Sequence, residues 1–314
     1  MTAFLFWLRL PMAALLALGL LAGSIDAAPR KKAPPKPDLP LAFQPMRVVI
    51  VRSTIPACEP LCPQWISAEG QIDARTPALF KKILAKAGKA RLPIVISSPG
   101  GDVDAALAIG RMIKERQLDV AVGTTVFTGC APAKADCTLP EEQKGVYFGV
   151  ARSEHSFCVS ACPFILASGA RRLSLAGYDL GLHQLTRTVT QERVRYWITY
   201  RIVNGKKKIL NRKVLSRKPW KSYSTTKLSK PLQKKLVAYF NKMGVDGTGM
   251  FALINKAPAS SMHLLSMEEA LTVKLATEFG SPTELVANKV CATEPPAGNC
   301  IRASDPKLGQ TARK

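Results

Sequence analysis

Acidic side chains are scarce in this 314-residue chain: 22 Asp and Glu stand against 45 Lys and Arg, a formal net charge of +23. A surplus of that size draws a protein toward anionic surfaces or polymers and says nothing of its fold. Histidine is scarcer still, with three residues, so few imidazoles can serve as bases or ligands. There is no C-x-x-C pair, which with so little histidine makes a zinc site a weak reading. No apolar run after residue 30 is as long as a bilayer span, excluding a multispanning protein. A hydrophobic fraction of 47% excludes a disordered chain.

What is present begins with a targeting pattern. Residues 3–22 are apolar apart from Arg9, and small residues follow through Ala27-Ala28. This reads as a signal peptide over residues 1–28, or, since Phe4 to Leu8 lengthen the stretch, as an uncleaved N-terminal anchor. Residues 29–44 are rich in Pro and Lys, a spacer that resists regular structure. Eight cysteines, Cys58, Cys62, Cys130, Cys137, Cys158, Cys162, Cys291 and Cys300, are an even set suited to disulfides in an exported, periplasmic-type compartment. Cys130–Cys137 and Cys291–Cys300 are the easiest loops to close. Export argues against ATP or coenzyme A, and no cofactor or metal is expected.

From residue 46 the pattern is α/β. Strands are expected at 46–51, 65–72, 92–97 and 119–126. Thr76-Pro77 and Asp102 start helices, and the nearly all-apolar run 92–97 suits a sheet covered on both faces. Residues 127–150 read as loop, 157–167 as helix, and 172–175 and 180–184 as short strands. Asn204-Gly205 between two β-rich runs is a strong hairpin signal, so 188–228 reads as a basic hairpin. Helices are expected at 231–243, 248–255 and 266–275.

Three segments could carry chemistry. Ser98-Pro-Gly-Gly-Asp-Val103 turns sharply from strand to helix and leaves amide N–H groups bare, the material of an anion or oxyanion site. Phe157-Cys-Val-Ser-Ala-Cys-Pro163 presents Ser160 among small residues at a helix start. Gly181-Leu-His-Gln184 ends a short strand on His183, and a serine hydroxyl needs such a base to become a useful nucleophile. His155 and His263 are the remaining imidazoles.

Taken in order, these segments resemble the Clp protease proteolytic subunit and its relatives in the crotonase-like superfamily, here as an exported branch. Glu69-Gly-Gln-Ile72, Arg171-Arg172-Leu173 and Leu265-Ser-Met-Glu-Glu-Ala270 also resemble family segments. The resemblance covers about 45–184 and 258–280 and implies a ββα superhelical fold, with the basic hairpin and helices of 188–250 inserted in a domain at 45–290, and a tail at 291–314. It implies an ATP-independent serine peptidase acting on peptides or unfolded chains. Ser160 would be its nucleophile, His183 its base, and the N–H groups of Gly101 and Ala161 its oxyanion donors. It further implies a homo-oligomer. Where the family carries its aspartate this chain has Met262; Asp179 and Asp246 are conceivable substitutes. The missing acid leaves a second reading open, an inactive relative that binds protein partners or anionic membrane and envelope components through its basic insertion. Nucleic acid is not an expected partner, since no recognised nucleic-acid motif appears.

Cys158 and Cys162 are four residues apart beside Ser160. The expectation is that one of them bridges to Cys58, Cys62, Cys130 or Cys137, stapling the nucleophile segment to the loops.

Overall fold

The computed structural model describes residues 43–132, 137–139, 143, 145–175 and 180–302. The expected signal segment, nearly all of the proline-rich spacer, Asp179 and the end of the tail lie outside the described residues.

Apolar runs form the middle of a mixed sheet. In chain order the elements are β1 (Arg47–Ser53), β2 (Leu61–Glu69), α1 (Thr76–Ala87), β3 (Ile94–Ser97), α2 (Val103–Arg116), β4 (Val120–Val122), β5 (Thr124–Phe127), β6 (Val146–Arg152), β7 (Cys158–Val159), α3 (Cys162–Leu166), β8 (Arg172–Ser174) and β9 (Leu180–Leu182). There follow β10 (Arg187–Val203), β11 (Lys206–Thr225), α4 (Lys230–Met243), α5 (Gly247–Ile254), β12 (His263–Leu264), α6 (Met267–Thr272), β13 (Glu278–Phe279), α7 (Thr283–Val286) and β14 (Cys300–Arg302). The large sheet runs β13-β8-β4-β3-β2-β1-β6-β5, with β14 added against β2. The pairs from β2 to β13 are parallel, while β1 meets β2 antiparallel.

All four residues of β3 are buried, as a central parallel strand requires. Alternation sends Ile94 and Ile96 into a large core with Phe80, Leu107 and Phe164. Val95 goes to the opposite face, with Val51, Trp65, Leu173 and Leu285. Single residues on one strand therefore serve two cores. The Trp65 indole N–H, sealed in the second core, donates to Thr125 Oγ1 at 3.1 Å, so this buried donor is not left unpaired.

Local structure departs from the sequence reading at four places. Asp73 Oδ1, not the Thr76 hydroxyl, accepts the Thr76 N–H at the start of α1, and Thr76 is its first helical residue. The expected strand 119–126 breaks at Gly123, where a Cβ would lie 2.8 Å from the Arg152 carbonyl oxygen, and continues as β5 in another part of the sheet. The expected loop 127–150 already holds the start of β6. The expected helix 157–167 is a two-residue strand, a turn at Ser160 and a five-residue helix.

β7 leaves the large sheet for a second, three-stranded one of order β12-β9-β7. This places the end of β7 beside the end of β9. The hairpin β10–β11 pairs only with itself among the described residues. α4 returns the chain to the body: Ser229 caps it, Phe240 packs at a tilt against Phe164 with centroids 4.8 Å apart, and the Tyr239 hydroxyl donates to the Phe164 carbonyl at 2.7 Å. Burial pushes that phenol well above its ordinary pKa, so it stays a donor.

Candidate active site

The turn after β3 has to be glycine. A Cβ at Gly101 would sit 2.0 Å from the Ile72 carbonyl oxygen, and one at Gly100 would sit 2.6 Å from Ser160 Cβ and 2.7 Å from the Ala161 nitrogen. Both have positive φ, +133° at Gly101 and +92° at Gly100. The bare Gly100 is what lets this turn touch the Ser160 turn, and the bare Gly101 lets it lie against the Ile72 backbone. The contact is fastened by Ser98 N–H to the Phe157 carbonyl at 2.7 Å and Val159 N–H to the Ser98 carbonyl at 3.1 Å.

Ser160 itself has φ +60°, a conformation costing a non-glycine residue about 1–2 kcal/mol. Observed strain of this kind persists only where the surroundings over-determine it. Three things do so here. Ser160 N–H donates to the Gly181 carbonyl at 2.9 Å. Gly100 packs beneath it. A disulfide joins Cys158 to Cys162 across it, with both cysteines fully buried.

The second sheet delivers His183. Its Nε2 lies 2.8 Å from Ser160 Oγ and its Nδ1 lies 2.8 Å from the Gln184 carbonyl oxygen. A carbonyl only accepts, so Nδ1 carries the proton. Nε2 is then the free lone pair that accepts the serine hydroxyl. The Gln184 carbonyl thus occupies the position an orienting carboxylate would take; Gln184 N–H in turn donates to the Ala257 carbonyl at 2.9 Å. A backbone acceptor leaves no trace in side-chain identity, which is why the sequence did not reveal it.

Neither the Gly101 nor the Ala161 N–H donates to an acceptor among the described residues. Beside Gly101 opens a cleft of about 440 Å³ whose walls include Leu107, Leu185, Leu228, Leu232 and Leu236. Asp104 at its edge is ion-paired with Lys235 at 3.0 Å. The three leucines from α4 and its approach follow four-residue spacing, the one sequence signal that could have announced this wall.

Other candidates go elsewhere. His155 is exposed, and His263 Nε2 meets Glu269 at 3.0 Å. Asp246 caps α5 by accepting from Thr248 and Gly249 N–H. Met262 precedes β12, whose register pairs His263 with Leu182 and Leu264 with Gly181. One step further sets Met262 opposite His183, and the Met262 side chain lies over Gly181 on that same face.

Stapling of the nucleophile segment to distant loops does not occur. The disulfides are Cys58–Cys62, Cys130–Cys137, Cys158–Cys162 and Cys291–Cys300. Each Cys joins its sequence neighbour; for Cys158 and Cys162 the turn at Ser160 brings Cα atoms four residues apart to 5.1 Å, within bridging range. The Cys58, Glu59 and Cys62 ligand atoms also cluster, but both sulfurs are spent on each other. Four disulfides indicate an oxidising environment, and among the described residues no helix is long and apolar enough to cross a membrane.

No family model and no curated protein matches the chain. Among solved structures it is similar to a serine-to-alanine mutant of the 1510-N membrane-bound stomatin-specific protease, at 15% identity and TM-score 0.37, covering 71% of this chain and 81% of that one. A lysine-to-alanine mutant of the same protease in complex with a substrate peptide aligns at 16% identity and TM-score 0.37, covering 76% and 84%. Likeness at this level carries neither mechanism nor substrate, and the chemistry rests on the atoms of this chain.

Proposed function

We propose that this chain is an exported, ATP-independent serine peptidase of the Clp-like type, with Ser160 as nucleophile and His183 as base. The observation that carries the proposal is the 2.8 Å contact between Ser160 Oγ and His183 Nε2, with Nδ1 held by the Gln184 carbonyl. Ser160 Oγ attacks a peptide carbonyl while Nε2 takes its proton. The oxyanion is received by the Gly101 and Ala161 N–H groups, donors worth a few kcal/mol each in acyl transfer. Nε2 then delivers the proton to the leaving amine, and water, activated by the same nitrogen, releases the acyl group. The leucine-walled cleft beside Gly101 suits an apolar side chain of a short or unfolded chain.

The organisation that goes with this reading is a signal or anchor at 1–28, a spacer at 29–44, the domain at 45–290 with its insertion at 188–250, and a tail at 291–314 whose strand β14 returns to the domain's sheet beside β2. A homo-oligomer belongs to the same proposal. A fluorophosphonate probe on the oxidised protein tests it: labelling is expected, and is expected to vanish in Ser160→Ala and in His183→Ala. A folded wild-type protein that takes no label sinks the peptidase.

Met262, standing where an acid is needed, favours a second reading in which the site is silent and the protein binds anionic envelope components or protein partners through its basic insertion. The same labelling experiment separates the two.

A further inference from the structure

The β10–β11 hairpin is a ribbon of 17 and 20 residues, roughly 55 Å along β10 at the usual strand rise. Its register divides it into unlike faces, because residues paired across strands project to the same side. Tyr196 pairs with Val214, Ile198 with Arg212, Tyr200 with Ile209 and Ile202 with Lys207. That face carries an apolar stripe, of which Ile202 is 65% and Ile209 57% exposed. The opposite face pairs Arg193 with Lys218, Trp197 with Lys213, Arg201 with Lys208 and Val203 with Lys206. Three bulges each leave one β11 residue unpaired: Leu210, Leu215 and Trp220, all more than half exposed. An isolated two-stranded hairpin with an uncovered apolar face is marginal in water, so this surface is shaped for a partner.

Charge selects the partner. Residues 187–225 hold twelve Lys and Arg against Glu192 alone. Two such ribbons repel, which disfavours a second copy. A soluble polyanion would satisfy the cations but leave the isoleucines in water. We infer that the hairpin lies flat on an anionic phospholipid surface. Ile198, Ile202 and Ile209 enter the boundary between headgroups and acyl chains, and Tyr196 and Tyr200 sit at headgroup depth, the usual place of amphipathic aromatics. Arg212, stacked on Tyr196, and Lys207, stacked on Tyr200, project from the same face and reach phosphate by extending their stems. The cations of the far face remain within about one Debye length of the headgroups, so they add attraction without insertion. This deepens the second reading above by naming its partner, and it holds whether or not Ser160 reacts.

The test is co-sedimentation of the full chain, wild type against the double variant Ile198→Asn/Ile202→Asn. The vesicles are phosphatidylcholine with phosphatidylglycerol, and phosphatidylcholine alone. Both substitutions are on the exposed ribbon, so circular dichroism and probe labelling are expected to match wild type. Wild type is expected to prefer the anionic vesicles, and the double variant to bind them about tenfold more weakly at equal salt. Equal binding by the two proteins, or no preference between vesicles, overturns the inference. So does a dimer dissociated by the double variant without vesicle binding, which gives the stripe to a second copy. Binding to heparin in place of vesicles overturns it as well. Loss of labelling with vesicle binding intact would remove the peptidase and leave the ribbon's role standing.

Discussion

Replacing Met262 with aspartate tests the account of the site most directly. Antiparallel pairing continued from His263–Leu182 sets residue 262 opposite His183, where Cβ atoms are about 5 Å apart. The side chain already lies on the face of Gly181 and His183, and aspartate is smaller than methionine, so the substitution needs no repacking. An acid in a serine triad both fixes the imidazole tautomer and stabilises the imidazolium, and losing both functions costs about ten-thousand-fold. Here the Gln184 carbonyl already fixes the tautomer, so Met262→Asp can restore only the electrostatic part. A charge pair at about 5 Å with an effective dielectric near 20 is worth about 3 kcal/mol. Residue 262 is 36% exposed, and solvent reduces that figure. We expect the fluorophosphonate labelling rate of Ser160 to rise about ten- to a hundred-fold, with Met262→Asn giving no comparable gain. The assay is the second-order labelling rate constant, with circular dichroism to establish that all variants fold. A folded Met262→Asp protein that labels no faster than wild type would refute the reasoning, because the register would then not deliver residue 262 to the base.

The remaining predictions address the turn and the periphery. Removing the Cys158–Cys162 bridge with Cys158→Ala/Cys162→Ala releases the left-handed Ser160, so the labelling rate should fall five- to thirty-fold, matching about 1–2 kcal/mol of backbone preference; an unchanged rate in the folded variant would show that the bridge positions nothing. Gly100→Ala forces a Cβ against Ser160 and the Ala161 nitrogen at positive φ, and should destabilise the fold by more than about 4 kcal/mol, measurable by urea unfolding. Lys256 first, then the Ser266 N–H and His263, hold the Glu269 carboxyl down from its ordinary 4.5 to about 2. A depressed carboxyl stabilises the fold above its unfolded pKa and loses that contribution as pH falls through the folded one. Glu269→Gln should therefore be less stable than wild type near neutrality, with the difference closing between pH 4.5 and about 2. Glu69 behaves in the opposite sense: burial raises its carboxyl, against the Thr125 N–H and Ser67 hydroxyl that lower it. Its ionisation therefore works against folding as pH rises, and Glu69→Gln, which keeps an acceptor for Thr125, should be at least as stable as wild type at neutral pH.

Much of this protein was legible in the residues themselves. The apolar run of β3, the Asp102 cap of α2 and the Asn204-Gly205 turn are local signals, each fixed by backbone preference and hydrophobic period within a few positions. The mixed α/β character and the short-range cysteine pairs at 130–137 and 291–300 belong to the same class. Tertiary structure decided what depends on elements far apart in the chain. Ser160 takes its left-handed turn because Gly100, Gly181 and the Cys158–Cys162 bridge meet around it, so the helix expected over 157–167 gives way to strand, turn and a short helix. His183 is oriented by a main-chain carbonyl, which any residue at 184 would supply, and no side-chain pattern can announce it. The two faces of the hairpin likewise emerge only with the register and its three bulges, since one slipped pair would exchange the apolar stripe with the cationic side.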